Sequence, residues 1–259
     1  MTGLLPDDDL KACCAKLYES DAVLWLLDGE LHPGGERLTL RLAELAGVAP
    51  GQRVVDVACG RGATALLLAR ALDCEAVGVD LGARAIAQAR HAAGAGERAS
   101  FLVGDAETLP LRDAGFDVAL SECSLCTFPD KPRAIAEMAR VVRAGGTIAI
   151  ADVTAELDAL PAALRTAAAQ VACVADARSA DEYVALLRDA GCEPLATEPH
   201  DAELRAMADR VEARLRVARM VAPPGEQRER AREAAAIARM AMEAIARGSL
   251  GYALITARV

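Results

Sequence analysis

The segment Val54-Val55-Asp56-Val57-Ala58-Cys59-Gly60-Arg61-Gly62-Ala63-Thr64 joins an acid, a Gly-x-Gly turn and the small residues of a helix start. The two glycines permit a tight turn and close approach of backbone to a ligand. A carboxylate at position 56 would repel a diphosphate, so the turn suits a ligand with a positive amino group. A dinucleotide fingerprint carries no such acid, and no Gly-Lys-Ser/Thr follows to make a phosphate loop. Further acids recur. Asp80 closes Val77-Gly78-Val79-Asp80, 18 residues after Gly62, where it can bind both hydroxyls of a ribose. Asp105, in Val103-Gly104-Asp105-Ala106-Glu107, can accept the exocyclic amine of adenine. Asp117-Val118-Ala119-Leu120-Ser121-Glu122 ends a fourth such run.

A second set could handle an acceptor. His32 lies in a His-Pro-Gly-Gly break and is a candidate general base, as is Glu122. His91, on an Ala/Arg-rich helix, reads as solvated, and His200 has no evident partner in sequence. Cys123 and Cys126 follow Ser121-Glu122 directly; Cys173 lies beyond the fifth strand, and Cys13 and Cys14 lie near the N-terminus. Soft thiolates favour soft acceptors such as trivalent arsenic or zinc. Cys123-x-x-Cys126 alone is not a zinc site, because no second pair has suitable spacing. Cys74 and Cys192 read as small core residues.

These residues need elements to position them. Short β-branched or apolar runs at 54–57, 76–79, 100–103, 116–120 and 147–152 alternate with helical periodicity at 63–71, 83–93 and 131–143. That alternation predicts a doubly wound, mostly parallel sheet. Residues 7–30 and 36–46 read as N-terminal helices, 157–172 and 179–190 as later ones, and 192–197 and 252–258 as sixth and seventh strands. Residues 200–248 have helical spacing cut by Pro223-Pro224-Gly225. The expected organisation is a helical cover (1–49), a ligand-binding core (50–155), and a C-terminal part (156–259) with an acceptor lid, a helical insert (200–248) and the last strands.

Composition narrows the function classes. The chain has 259 residues, 53% of them hydrophobic and 26% charged, which argues against wholesale disorder. A net charge of −9 and only 3% aromatics disfavour nucleic-acid partners, which need phosphate-binding surface and base-stacking platforms. No apolar run approaches the roughly 20 residues of a membrane span, and the acidic N-terminus lacks a basic n-region and h-region. The eight cysteines are therefore expected to be cytoplasmic thiols. The helical insert offers a surface for homodimer formation.

As a set, the strand-end acids and the glycine turn resemble the class I S-adenosylmethionine-dependent methyltransferases, over about residues 50–155. The resemblance implies a Rossmann-like seven-stranded sheet and S-adenosyl-L-methionine as cofactor. Asp56, Cys59, Gly60 and Gly62 would cradle its methionine part, with Cys59 standing where glycine is commoner. Asp80 would hold the ribose, Leu81 would pack on adenine, Asp105 and Ala106 would face the adenine edge, and Ser121 would lie near the sulfonium. Ser121-Glu122-Cys123-Ser124-Leu125-Cys126-Thr127-Phe128-Pro129-Asp130-Lys131 and the segment around Cys173, with Glu182-Tyr183 and Ala190-Gly191 after it, further resemble the arsenite methyltransferases. That narrower likeness implies methyl transfer to a trivalent arsenical held by Cys173, with Cys123 also in a matching segment; by their position, Cys126 and the Cys13–Cys14 pair of the cover are further candidate thiolates. It departs in having Glu122 for asparagine and no cysteine after Cys192. A small organic acceptor deprotonated by His32 or Glu122 is the alternative, and a non-catalytic metalloid-binding protein is the alternative of another class.

Overall fold

The computed structural model describes residues 11, 18, 20–165, 174, 176–223 and 225–259. They build a seven-stranded sheet: β1 (Arg53–Val57), β2 (Glu75–Asp80), β3 (Ala99–Val103), β4 (Phe116–Glu122), β5 (Val142–Ala155), β6 (Glu193–Pro199) and β7 (Leu250–Arg258). The spatial order is β3-β2-β1-β4-β5-β7-β6; β7 is antiparallel to both its neighbours, and the other pairings are parallel. Three of the five residues of β1 are valine, and Val54–Val57 is buried because both faces of that strand are covered. Val54 packs with Leu38, Leu42 and Leu68, while its neighbour Val55 packs on the other face with Ile135 and Met138.

The helices are α1 (Asp21–Leu26), α2 (Gly35–Leu45), α3 (Ala63–Leu72), α4 (Ala83–Ala92), α5 (Lys131–Val141), α6 (Ala180–Asp189), α7 (Asp201–Val221) and α8 (Glu226–Ala246). Local chemistry sets their starts. The Asp130 side chain accepts the Arg133 amide at the head of α5, with Pro132 in the first turn, and Ser179 and Glu182 form a reciprocal capping box on α6. α7 and α8 form a hairpin inserted between β6 and β7, broken where the Pro-Pro-Gly run predicts.

Two expectations are corrected. The helix expected over 157–172 is replaced by two short 3-10 turns, Leu157–Ala159 and Ala162–Arg165, and the remainder of that range lies outside the described residues. Pro161 is the reason: it pushes Leu160 into extended backbone (ψ 140°), which ends the first turn. β5 begins at Val142, earlier than expected, because Phe116 pairs with Val142 and Val118 with Thr147, leaving Arg143–Gly146 as a bulge. Gly146 is required there, since a Cβ would lie 2.5 Å from the Asp117 carbonyl oxygen.

Near that bulge the N-terminal edge of the sheet is stitched together. Asp117 accepts the Arg53 amide (2.8 Å) and the Arg143 guanidinium (2.7 Å), and Arg53 lies over the Phe116 ring at 4.8 Å. Burial works against the Asp117 charge, but these donors hold its carboxyl below the usual range. The opposite edge is covered by the N-terminal segment and the α7–α8 hairpin. Arg41 of α2 grips Glu198 of β6, Arg37 pairs with Glu203, Arg210 with Glu30, and Arg214 with Asp28 while lying 5.4 Å over the Trp25 ring. Among the described residues no helix is long and apolar enough to cross a membrane.

Candidate active site

The strand order reverses between β1 and β4, and ligands of open α/β sheets bind outside the carboxyl ends of the strands at such a point. The Gly-x-Gly turn sits there. Gly62 adopts φ +79°, and a Cβ on it would meet the Phe101 ring at 2.5 Å. A Cβ on Gly60 (φ +53°) would meet only Leu31, at 3.7 Å, so the backbone of that residue is approachable. Asp80 fixes the turn across the strands, accepting the Gly60 amide (2.8 Å) and the Gly82 amide (2.7 Å). The Cys59 thiol packs beneath the turn against Gly78, and burial pushes it far above the ordinary thiol range.

Asp56 is the electrostatic anomaly. It is 2% exposed, and no donor among the described residues reaches its Oδ2. Burial raises its pKa well above the carboxylate range, and the charges of Glu122 and Asp80 push the same way, against the Ala65 amide. A buried carboxylate oxygen with no donor among the described residues, beside an open glycine turn, is complementary to a cation. Farther along the edge, Leu81 is 40% exposed, an apolar surface with room above it. Asp105 accepts the Glu107 amide (2.9 Å) and the Lys11 ammonium (2.8 Å), and Ala106 is half-buried beside it. Burial opposes the charge on Lys11, but Asp105 and Glu107 together hold it above the usual lysine range.

Across the turn lies a second polar group. Glu122, at the end of β4, accepts Thr64 Oγ1 of α3 (2.6 Å) and Thr39 Oγ1 of α2 (3.1 Å). His32 Nε2 stands 3.8 Å from Glu122 Oε2, and His32 Nδ1 is 3.3 Å from the Pro33 carbonyl oxygen. The Pro33 carbonyl accepts from Nδ1 when that nitrogen carries the ring proton. In sequence His32 and Glu122 were separate candidates; the structure brings them together.

The other sequence candidates divide. Ser121 is fully buried, with its hydroxyl 2.6 Å from that of Ser124. Cys123 is half-buried and adopts φ +51°, its amide donating to Ala151 O. Cys126 is buried, and its amide donates to the Asp152 carboxylate. Cys13, Cys14 and Cys173 lie outside the described residues. Among the described residues no cluster of His, Cys, Asp and Glu suits a metal ion. Cys74 and Cys192 are buried, and burial raises their thiol pKa values. Lys131, in the Pro-Asp-Lys string, is buried and donates to Phe128 O and Asp176, so this part of the string is a tie between loops. His91 is exposed, whereas His200 does have neighbours, with Glu203 at 3.5 Å and Glu198 at 3.6 Å. Lys11, Thr39 and Thr64 escaped the sequence reading; Thr39, a hydroxyl on the leucine-lined face of α2, was the one available signal.

A mostly parallel sheet with one reversed strand, a glycine turn after β1 and acids at the ends of β1, β2 and β3 define the Rossmann-like methyltransferase class. Residues 55–150 match the family Methyltransf_11, described as a methyltransferase domain. It is 36% identical over 175 residues to the 27-O-demethylrifamycin SV methyltransferase of Amycolatopsis mediterranei (strain S699), covering 65% of this chain and 64% of that one. It is 30% identical over 199 residues to the arsenite methyltransferase of Halobacterium salinarum, covering 74% of this chain and 49% of that one. Among solved structures, the [4+2]-cyclase SpnF superimposes with a TM-score of 0.76 at 25% identity, covering 94% of each chain. The chain thus spans less than two thirds of the length of the curated relatives it matches.

Proposed function

We propose that the chain transfers a methyl group to a hydroxyl oxygen of a small organic molecule, with His32 as general base and Glu122 as its partner. The observation that carries this reading is the 3.8 Å approach of His32 Nε2 to Glu122 Oε2 beside the helix that follows the glycine turn. S-adenosylmethionine supplies the methyl on a positively charged sulfur. For that group the residues fit: Asp56 offers its ammonium a buried carboxylate oxygen with no partner among the described residues, the Gly60 backbone is approachable, Asp80 stands for the ribose, Leu81 for the adenine face, and Asp105 with Ala106 for the adenine edge. His32 accepts the acceptor's proton on Nε2, and Glu122 stabilises the resulting imidazolium. Thr39 and Thr64 orient the carboxylate. Residues 1–49 act as the cover and the 156–259 part as lid and insert.

A second reading keeps the arsenical acceptor. It rests on Cys123, half-buried next to Glu122, and on the similarity to an arsenite methyltransferase. One assay separates the two, and both from a fold used for other chemistry. The full chain is incubated with S-adenosylmethionine and, separately, 27-O-demethylrifamycin SV, catechol, or arsenite with a thiol; S-adenosylhomocysteine release and product mass are read. Methylation of a hydroxyl probe, with kcat reduced about a hundredfold in His32→Ala and unchanged in Cys173→Ser, is expected. Methylated arsenic that depends on Cys173 would install the second reading, and no S-adenosylhomocysteine from any acceptor would defeat both.

A further inference from the structure

β7 runs between β5 and β6 and sends Tyr252 into the apolar cluster of Leu120, Cys126, Ala151 and Val153, against which Cys123 also packs. The backbone of this tyrosine is pinned. It pairs with Val153 of β5, its amide donates to Asp201 Oδ1 (3.0 Å), and its carbonyl accepts the His200 amide (2.7 Å). The side chain is 1% exposed, yet among the described residues its hydroxyl has no hydrogen-bond partner. A buried hydroxyl left unpaired is destabilising, and phenylalanine would pack the same cluster without that loss. The position is also particular. Cys123, which packs against the same cluster, turns through left-handed backbone immediately after Glu122, and such strain concentrates at functional sites. Burial, and then the neighbouring Cys123, Glu122, Asp152 and Cys126, hold the phenol well above the usual tyrosine range. Its hydroxyl is therefore a donor throughout the physiological pH range.

We propose that Tyr252 is an acceptor-binding residue whose hydroxyl donates a hydrogen bond to the oxygen that becomes methylated. This rests on the hydroxyl-acceptor reading above. In the reaction the acceptor O–H bond breaks and its proton passes to His32 Nε2. A carbon–oxygen bond forms to the methyl carbon as its bond to sulfur breaks, and sulfur keeps that electron pair. Tyr252 keeps its own proton. A donor placed at the developing oxyanion makes the acceptor easier to deprotonate by an imidazole. It also selects acceptors that present an oxygen, since a soft arsenic centre offers the phenol little to bind.

Tyr252→Phe in the full chain tests this. Thermal unfolding of the free variant should match or exceed wild type, and its S-adenosylhomocysteine affinity by calorimetry should be unchanged. With the hydroxyl probe that wild type methylates, kcat should fall about tenfold or more, and the rise of rate with pH should move to higher pH. Site-specific 3-fluorotyrosine at position 252, a stronger donor of nearly the same shape, should move that rise to lower pH. Wild-type kcat, KM and pH profile in Tyr252→Phe would overturn the proposal alone. A lowered melting temperature would overturn it too, by showing that the hydroxyl has a structural partner. Wild type that methylates no hydroxyl probe overturns the hydroxyl reading and this proposal with it.

Discussion

Asp56 has an environment that favours its neutral form until a cation arrives. Its folded-state pKa lies above the ordinary value of about 4. Between those two values the native chain binds more protons than the unfolded one, so the free protein loses stability as pH rises through this window. Asp56→Asn removes the effect. Its melting temperature should exceed that of wild type at pH 7, and the advantage should vanish as pH falls toward about 4. The same variant should bind S-adenosylhomocysteine, which carries the ammonium, about tenfold or more weakly by titration calorimetry. A variant less stable than wild type at pH 7 would mean that the carboxylate has a counter-charge. Asp56, Gly60, Gly62 and Asp80 were legible in sequence because each sits at a fixed offset from a strand end, within one short stretch. The His32–Glu122 pair was not, since 90 residues separate the two and only the packing of α2 on the sheet joins them. Tyr252 was legible only as a strand residue, because a missing hydrogen-bond partner is a property of three dimensions.

Among the elements, the loop between β4 and α5 carries Cys123, Ser124 and Cys126 and is held by acids from elsewhere. Asp152 of β5 accepts the Ser124 and Cys126 amides, Glu107 accepts the Asp130 amide, and Asp176 accepts the buried Lys131 ammonium. Asp176→Asn leaves that ammonium with a neutral partner. Because hydrogen bonds to charged groups contribute about 1.5–3 kcal/mol, the variant should lose about 2 kcal/mol in urea unfolding at neutral pH. Lys131→Met, which replaces the cation with a flexible apolar chain, should lose less. Equal stability of wild type and Asp176→Asn would remove the tie from the account. Periodicity read the strands well because buried parallel strands are written as short apolar runs. It misread residues 157–165, where alanine and leucine imitate a helix and one proline decides otherwise, and the start of β5, where a bulge obeys no period.

Over the whole molecule, the described residues of the cover meet α7 through arginine pairs: Arg37 with Glu203, Arg210 with Glu30, Arg214 with Asp28. Exposed pairs of this kind contribute about 0–1 kcal/mol each and weaken with salt. Chymotrypsin cleavage after Trp25 of the full chain should therefore quicken as sodium chloride rises, and Arg214→Ala, which also removes the contact with Trp25, should quicken it at low salt. Cleavage indifferent to both would mean that the cover is held by apolar packing instead. The sheet was legible in sequence at this scale; the mating of cover and hairpin was not, because arginine and glutamate spaced along a helix look the same whether they face solvent or a neighbour. The stitched edge around Asp117 gives the architecture a mechanical polarity. One end of the sheet gathers Arg53 and Arg143 on a single carboxylate, and the glycine turn and the strand-end acids lie at the other. Local opening is therefore expected first at the end that has to admit and release ligands.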